Sequence, residues 1–114
     1  AEQLCFPDRE GVCDPSTYPS APHRWRFLNS GLIAGRGNAI KAMLRDEVPD
    51  IIVGSDQFWY QQYFQSHQES IHLDTGCVLF CPIWGINGEK DGVELRERRI
   101  FNVETGTIPS VVHF

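Results

Sequence analysis

The stretch Phe27-Leu28-Asn29-Ser30-Gly31-Leu32-Ile33-Ala34-Gly35 decides the reading of the fold. Apolar residues flank a run of small ones, which reads as a buried strand broken by a small-residue turn. Directly after it, Ile40, Met43, Leu44 and Val48 recur at helical spacing. They predict a helix over Asn38 to Val48, ended by Pro49. A second helix is expected over Ser55 to Ser66. Ser55 or Gly54 would cap it, and Asp56 falls in the first turn, where a carboxylate suits the helix dipole. Phe58, Trp59, Tyr63 and Phe64 give that helix an aromatic face.

From residue 70 the pattern changes to short strands. Ile71-His72-Leu73, Cys77 to Ile83, Val93-Glu94-Leu95, Arg99 to Val103 and Ile108 to Phe114 are the expected ones. Gly85, Asn87-Gly88 and Asp91-Gly92 supply turns. Upstream, residues 8–25 hold Gly11, Pro15, Ser16, Pro19, Ser20 and Pro22, the composition of a long loop. Long loops on a rigid scaffold often line sites. The order is strand, loop, strand, helix, helix and then several short strands. It predicts an α/β domain with a mixed sheet. No internal repeat or low-complexity segment interrupts it.

With 114 residues, one domain is the expectation, with a modest core. A net charge of -5 gives no electrostatic reason to expect a nucleic-acid partner. No apolar run approaches the roughly 20 residues that span a bilayer. The first residues, Ala1, Glu2 and Gln3, show no secretory signal. Because the chain opens without Met and ends at His113-Phe114 inside an apolar run, it reads as a processed chain or a fragment. The four cysteines do not have zinc-site spacing. Pro7, Asp8 and Gly11 would let Cys5 and Cys13 close as a disulfide loop, and two free thiols are the alternative. Cys77 and Cys81 sit in an apolar run and are expected as buried free thiols.

Each candidate for chemistry has a plain structural alternative. Asn29-Ser30-Gly31 is a tight turn, or a turn whose backbone approaches a ligand closely. Gly54-Ser55-Asp56-Gln57 is an N-terminal cap, or it projects Asp56 and Gln57 into a cleft. There a carboxylate orients a hydroxyl nucleophile and an amide positions a sugar. His113, at the end of an apolar strand, is a satisfied side chain or a metal ligand. His23, His67 and His72 have weaker cases, since no second ligand stands at useful spacing; Asp74 near His72 is unspecific. Phe6, Trp25, Trp59 and Trp84 could stack on a sugar or a base. Trp59 reads as core, and Phe6 and Trp84 as exposed beside Pro and Gly.

The order of these segments carries more than any one of them. Ala1-Glu2, Cys5-Phe6-Pro7-Asp8, Tyr18-Pro19, Arg26-Phe27-Leu28-Asn29-Ser30-Gly31, Ser55-Asp56-Gln57-Phe58, Leu73-Asp74 and Pro109-Ser110-Val111-Val112-His113 run across nearly the whole chain. Together they resemble the glycosyltransferase domain of the multifunctional procollagen lysyl hydroxylases and their fungal or viral relatives. The resemblance implies the C-terminal portion of a GT-A-type domain spanning residues 1–114. It implies transfer of a hexose from a UDP-sugar to a hydroxyl on a protein or glycan acceptor, hydroxylysine in the collagen-acting members. It implies a divalent ion, usually manganese, and a place in the secretory pathway.

By the same match, Asp56 and Gln57 would face the transferred sugar or acceptor. Asn29, Ser30 and Gly31 would shape the sugar pocket, Phe6 would flank its entrance, and His113 would be a metal ligand. The chain departs from the family pattern in four places. No Asp-x-Asp occurs, which puts that motif upstream. His113 matches the His of a His-x-Asn-Gly motif, but the chain stops at Phe114. Gly54 and Ser55 replace acidic residues ahead of Asp56, and Phe6 stands where the family often has Trp. The chain alone is therefore expected to be inactive. Two rival readings stand beside this one. One is a lumenal or secreted interaction domain that keeps the fold without catalysis; the other is an unrelated small disulfide-stabilised domain.

Overall fold

The computed structural model describes residues 4–5, 10–46, 54–83 and 92–113. In chain order a short 3-10 turn (Pro15–Thr17) precedes helices α1 (Gly37–Asp46) and α2 (Asp56–Ser66). Strands β1 (Phe80–Pro82), β2 (Val93–Arg96), β3 (Arg99–Asn102) and β4 (Val111–His113) follow. Helices and strands mix as an α/β chain does. The expected mixed sheet is instead two separate two-stranded sheets among the described residues. β1 pairs in parallel with β4, placing Phe80 opposite Val111, Cys81 opposite Val112 and Pro82 opposite His113. β2 and β3 form an antiparallel hairpin.

Several expected elements are shorter than their patterns. Residues 28–36 hold no strand. The expected strand from Phe27 to Gly35 is an irregular path with a turn at Ser30 and Gly31, because its polar groups bond to side chains rather than to a ladder. Ile71, His72 and Leu73 also lie outside any strand. The run from Cys77 is strand only from Phe80, since the Asp74 carboxylate takes the backbone N–H groups ahead of it. Ser55 does stand at the N-cap of α2, but its side chain makes no capping bond. The end of the first helix near Pro49, and the turns at Gly85, Asn87-Gly88 and Asp91, lie outside the described residues.

Two apolar clusters organise the chain. One gathers Trp25, Cys77, Cys81, Ile83 and Val93, with Ile100 and Val112 against it. Trp25 is fully buried there, so it stacks on no ligand, contrary to one expectation. Its indole Nε1 donates to the Pro82 carbonyl at 3.3 Å. Pro82 has no N–H to offer a further strand, and the tryptophan takes up its free carbonyl on that edge. The second cluster holds Tyr18, Leu28 and Phe64, with Phe27, Tyr60, Ile71 and Leu73 against it. Of the aromatic face expected on α2, Phe64 is the buried anchor, and Trp59 and Tyr63 are half-buried.

A row of glutamines on α2 and just past it fastens the N-terminal loop. Cys5 and Cys13 form a disulfide. Fully buried Gln61 donates to Cys5 Sγ at 3.2 Å, and Gln62 donates to Glu10 at 3.1 Å. Gln65 donates to the Val12 carbonyl at 3.1 Å and to Thr17 Oγ1 at 2.9 Å. Gln68 donates to the Thr17 carbonyl at 2.6 Å. Positions 61, 65 and 68 recur at helical spacing, so one face of the helix docks on the loop.

Asp74 sets the entry to β1. Its Oδ1 accepts from the Val78 N–H at 3.0 Å, and its Oδ2 from Leu79 at 2.7 Å and Phe80 at 2.9 Å. Partial burial pushes this carboxyl up, but the three backbone N–H groups outweigh that and hold it below its ordinary value. A depressed folded-state pKa stabilises the fold above the ordinary carboxylate range, and the contribution fades as pH falls below it. Asp74→Asn is expected to cost about 1–3 kcal/mol at pH 7, since an amide can accept with only one of its atoms. Urea denaturation at pH 7 and pH 3 checks this: the gap between wild type and variant should shrink in acid.

Candidate functional site

The turn at Ser30 and Gly31, the first turn of α2 and the end of β4 meet at one point. Gln57 Oε1 accepts from the Ser30 backbone N–H at 3.2 Å and from its hydroxyl at 3.4 Å. Asn29 Oδ1 accepts from the Gly31 N–H at 2.9 Å, folding the side chain back over the turn. The imidazole of His113 lies against Gly31. A Cβ placed on Gly31 would fall 2.4 Å from His113 Nε2, 2.8 Å from its Cδ2 and 2.9 Å from Asn29 Oδ1. Only a residue without a side chain admits the ring so close to the backbone. The histidine itself is placed by strand pairing, with its carbonyl accepting from Ile83 N at 2.8 Å.

Of these residues Asn29, Ser30 and His113 line a cleft of about 390 Å³, while Gly31 and Gln57 are not part of its lining. Asn29, Ser30, His72, Asp74 and His113 are among the polar residues that line it. Leu32, Ile33, Ile40 and Met43 from the α1 side, and Leu79 and Phe80 from β1, supply apolar walls. Tyr60 and Tyr63 line it from α2, one and two turns beyond Gln57. A mostly apolar cleft with a few converging polar groups has the general form of a small-ligand site. Sequence reading missed Tyr60 and the aromatic wall it makes with Tyr63; their spacing from Gln57 along the helix was the available signal.

The structure brings Asn29, Ser30, Gly31, Gln57 and His113 together. Asp56 stands apart: it is exposed in the first turn of α2 and does not line the cleft. Phe6 and Trp84 lie outside the described residues. Gln57 has a structural contact of its own. Its carbonyl oxygen is held by Ser30, so it positions the turn. Gln57→Ala is expected to cost about 1–3 kcal/mol by releasing that turn and leaving the Ser30 N–H without this acceptor, and Gln57→Glu, which keeps the acceptor, to recover most of it. Urea denaturation of the pair reads this out.

A divalent ion needs several donors, and the site supplies few. His113 Nε2 and Asn29 Oδ1 converge on Gly31, the latter already bonded to a backbone N–H. Among the described residues no three of His, Cys, Asp and Glu gather into a group able to hold a metal. These residues do not make a metal centre by themselves.

The family model described as the PLOD GT domain matches residues 1–114, the whole chain. The chain belongs to this family, the glycosyltransferase domain of procollagen lysyl hydroxylases. Among curated proteins, the PLOD GT chain is similar to the uncharacterized protein R699 of Acanthamoeba polyphaga mimivirus, 29% identical over 113 residues. The match covers 99% of this chain and 23% of the viral protein, so the chain spans about a quarter of that relative. No solved structure matches. Among the described residues, no helix of this PLOD GT domain is long and apolar enough to cross a membrane.

Proposed function

We propose that this chain forms one wall of a GT-A-type site that transfers a hexose from a UDP-sugar to a hydroxyl on a protein or glycan acceptor, hydroxylysine-like in character. The observation that carries the reading is the meeting of Asn29, Ser30, Gly31, Gln57 and His113 from three separate parts of the chain. Family membership supplies the reaction class. The polar end of the cleft takes the sugar, through Asn29 and Ser30, with Gln57 fixing the turn that presents them. Asp56, exposed at the start of α2, is placed to meet an acceptor hydroxyl arriving from solvent. The apolar walls exclude water from the sugar, which strengthens each polar contact inside.

His113 is proposed as one donor to a manganese ion whose remaining ligands lie beyond the described residues. Such an ion supplies Lewis-acid stabilisation of the departing diphosphate. The Cys5–Cys13 disulfide supports a place in the oxidising lumen of the secretory pathway or outside the cell.

Among the described residues no three potential metal ligands gather at His113, which favours a second reading, a lumenal binding domain that keeps the fold without catalysis. The thermal midpoint of the chain with manganese plus UDP-glucose or UDP-galactose separates the two. A rise that needs both metal and nucleotide sugar supports the transferase site, since a ligand that binds only the folded state stabilises it. An unchanged midpoint favours the binding domain.

A further inference from the structure

Away from the cleft, the core beneath β1 holds two further cysteines. Cys77 and Cys81 are both fully buried in the cluster around Trp25, and neither is in a disulfide. Both belong to that one cluster, four positions apart in the chain. Cys77 holds a φ of 50°, in the left-handed region that residues other than glycine rarely adopt. A web of bonds keeps it there. Cys77 N donates to the Asp74 carbonyl at 3.3 Å, and Thr107 Oγ1 donates to the carbonyls of Gly76 and Cys77, each at 3.0 Å. The turn keeps the Cys77 side chain in the same buried cluster as Cys81. On the far side, Asn102 Nδ2 donates to Cys81 Sγ at 3.5 Å.

We propose that Cys77 and Cys81 are a second disulfide site of this chain, a dithiol that a disulfide oxidant closes within the folded core. Both side chains are held in one buried cluster four positions apart, and a bond about 2.0 Å long would join them within it. The two thiols are not equivalent. The hydrogen bond from Cys77 lowers the Cys81 pKa against the opposing effect of burial, with Asn102 lowering it further. The shared hydrogen bond and burial push Cys77 up. Because Asn102 donates to Cys81 Sγ and so favours a thiolate there, Cys81 is the attacking sulfur and Cys77 the resolving one.

The exchange balances with a small-molecule disulfide as oxidant. The Cys81 thiolate attacks one oxidant sulfur, breaking the oxidant's S–S bond and releasing one thiol. Cys77 then gives up its proton and attacks Cys81 Sγ, breaking the mixed disulfide and releasing the second thiol. The two protein thiols lose two electrons and two protons, and the oxidant gains them. Access comes through the segment between the cysteines, where Val78 and Leu79 are 56% and 50% exposed. Closure ties the Asp74 turn to β1, the strand whose partner β4 carries His113. The pair thus adds a redox-sensitive staple at the base of the cleft.

The test incubates the folded chain with oxidised glutathione, in water and at denaturant concentrations below its unfolding transition. It is then denatured in N-ethylmaleimide and the peptides are mapped by mass. The expected result is loss of both maleimide adducts from the peptide containing residues 77–81, a mass lower by two hydrogens, and an unchanged Cys5–Cys13 bridge. Cys77→Ser should leave Cys81 holding one glutathione. The proposal is overturned if both thiols stay fully alkylated at every denaturant concentration. It is equally overturned if they pair with Cys5 or Cys13 instead of with each other.

Discussion

Gly31→Ala is expected to lower metal-dependent UDP-hexose binding about a hundredfold while leaving the thermal midpoint almost unchanged. The reason is contact and not backbone strain. Gly31 is exposed and is not among the positive-φ glycines, so its backbone suits alanine. The new methyl would nevertheless lie 2.4 Å from His113 Nε2. The turn is held by Asn29 and Gln57, and the carbonyl of His113 is bonded to Ile83, so the imidazole is the part that must swing away. A displacement of about 1 Å at a reacting centre can cost on the order of a hundredfold. Titration calorimetry with manganese and UDP-galactose checks the size of the effect. In a His113→Ala background the glycine substitution should cost almost nothing, because the two changes act on one contact. Gly37→Ala, where a Cβ meets nothing within 4 Å, is the control.

Trp25→Ala is the change with the largest expected effect on stability. The ring is fully buried between the sheets, and its Nε1 occupies the Pro82 carbonyl. Arg24 lies over the ring at 5.2 Å and pairs with Glu104 at 2.6 Å, so the indole also orders the surface above it. Removing a buried aromatic ring costs about 3–5 kcal/mol, against a total of roughly 5–15 kcal/mol for a domain. The thermal midpoint should fall by on the order of 10–20 °C. Followed by circular dichroism, the loss should appear as a single transition with a lower midpoint. Trp25→Phe should recover part of it, because the ring stays while the bond to Pro82 goes. A midpoint within a few degrees of wild type would show that the indole is not the centre of this core.

How legible this was in the sequence differs from element to element. α2, β3 and β4 lie within their expected ranges and β2 runs one residue past its own, because local periodicity sets them. The expected strand from Phe27 to Gly35 does not form, since its small residues serve the contact with His113 instead of a ladder. That contact spans more than eighty positions, and no local pattern encodes it. The hairpin turn was also missed. Glu97 and Arg98 both hold positive φ, 47° and 68°, as a two-residue turn between paired strands requires. Neither residue is the Asn or Gly that normally signals such a turn. Trp25 is one of four aromatics that could stack on a sugar or a base, yet only the fold shows that it enters the core. The glutamines of α2 carried no periodic apolar signal, although they fasten the disulfide loop. Within the site, Asn29, Ser30, Gly31, Gln57 and His113 were found through the order of family motifs, and their mutual contacts came only with the structure.

The central claim is that His113, set against Gly31 at the polar end of the cleft, is where metal and nucleotide sugar meet this chain. Histidine ring signals in the NMR spectrum test it directly, since the chain has four histidines and manganese broadens only what lies near it. Manganese would be titrated in with UDP-galactose present, and the His113 signal assigned with His113→Ala. The account predicts that His113 broadens first, that His23 and His67 stay sharp, and that omitting the nucleotide sugar weakens the effect. Broadening of the other histidines with His113 left sharp, or equal broadening of all four, would contradict it.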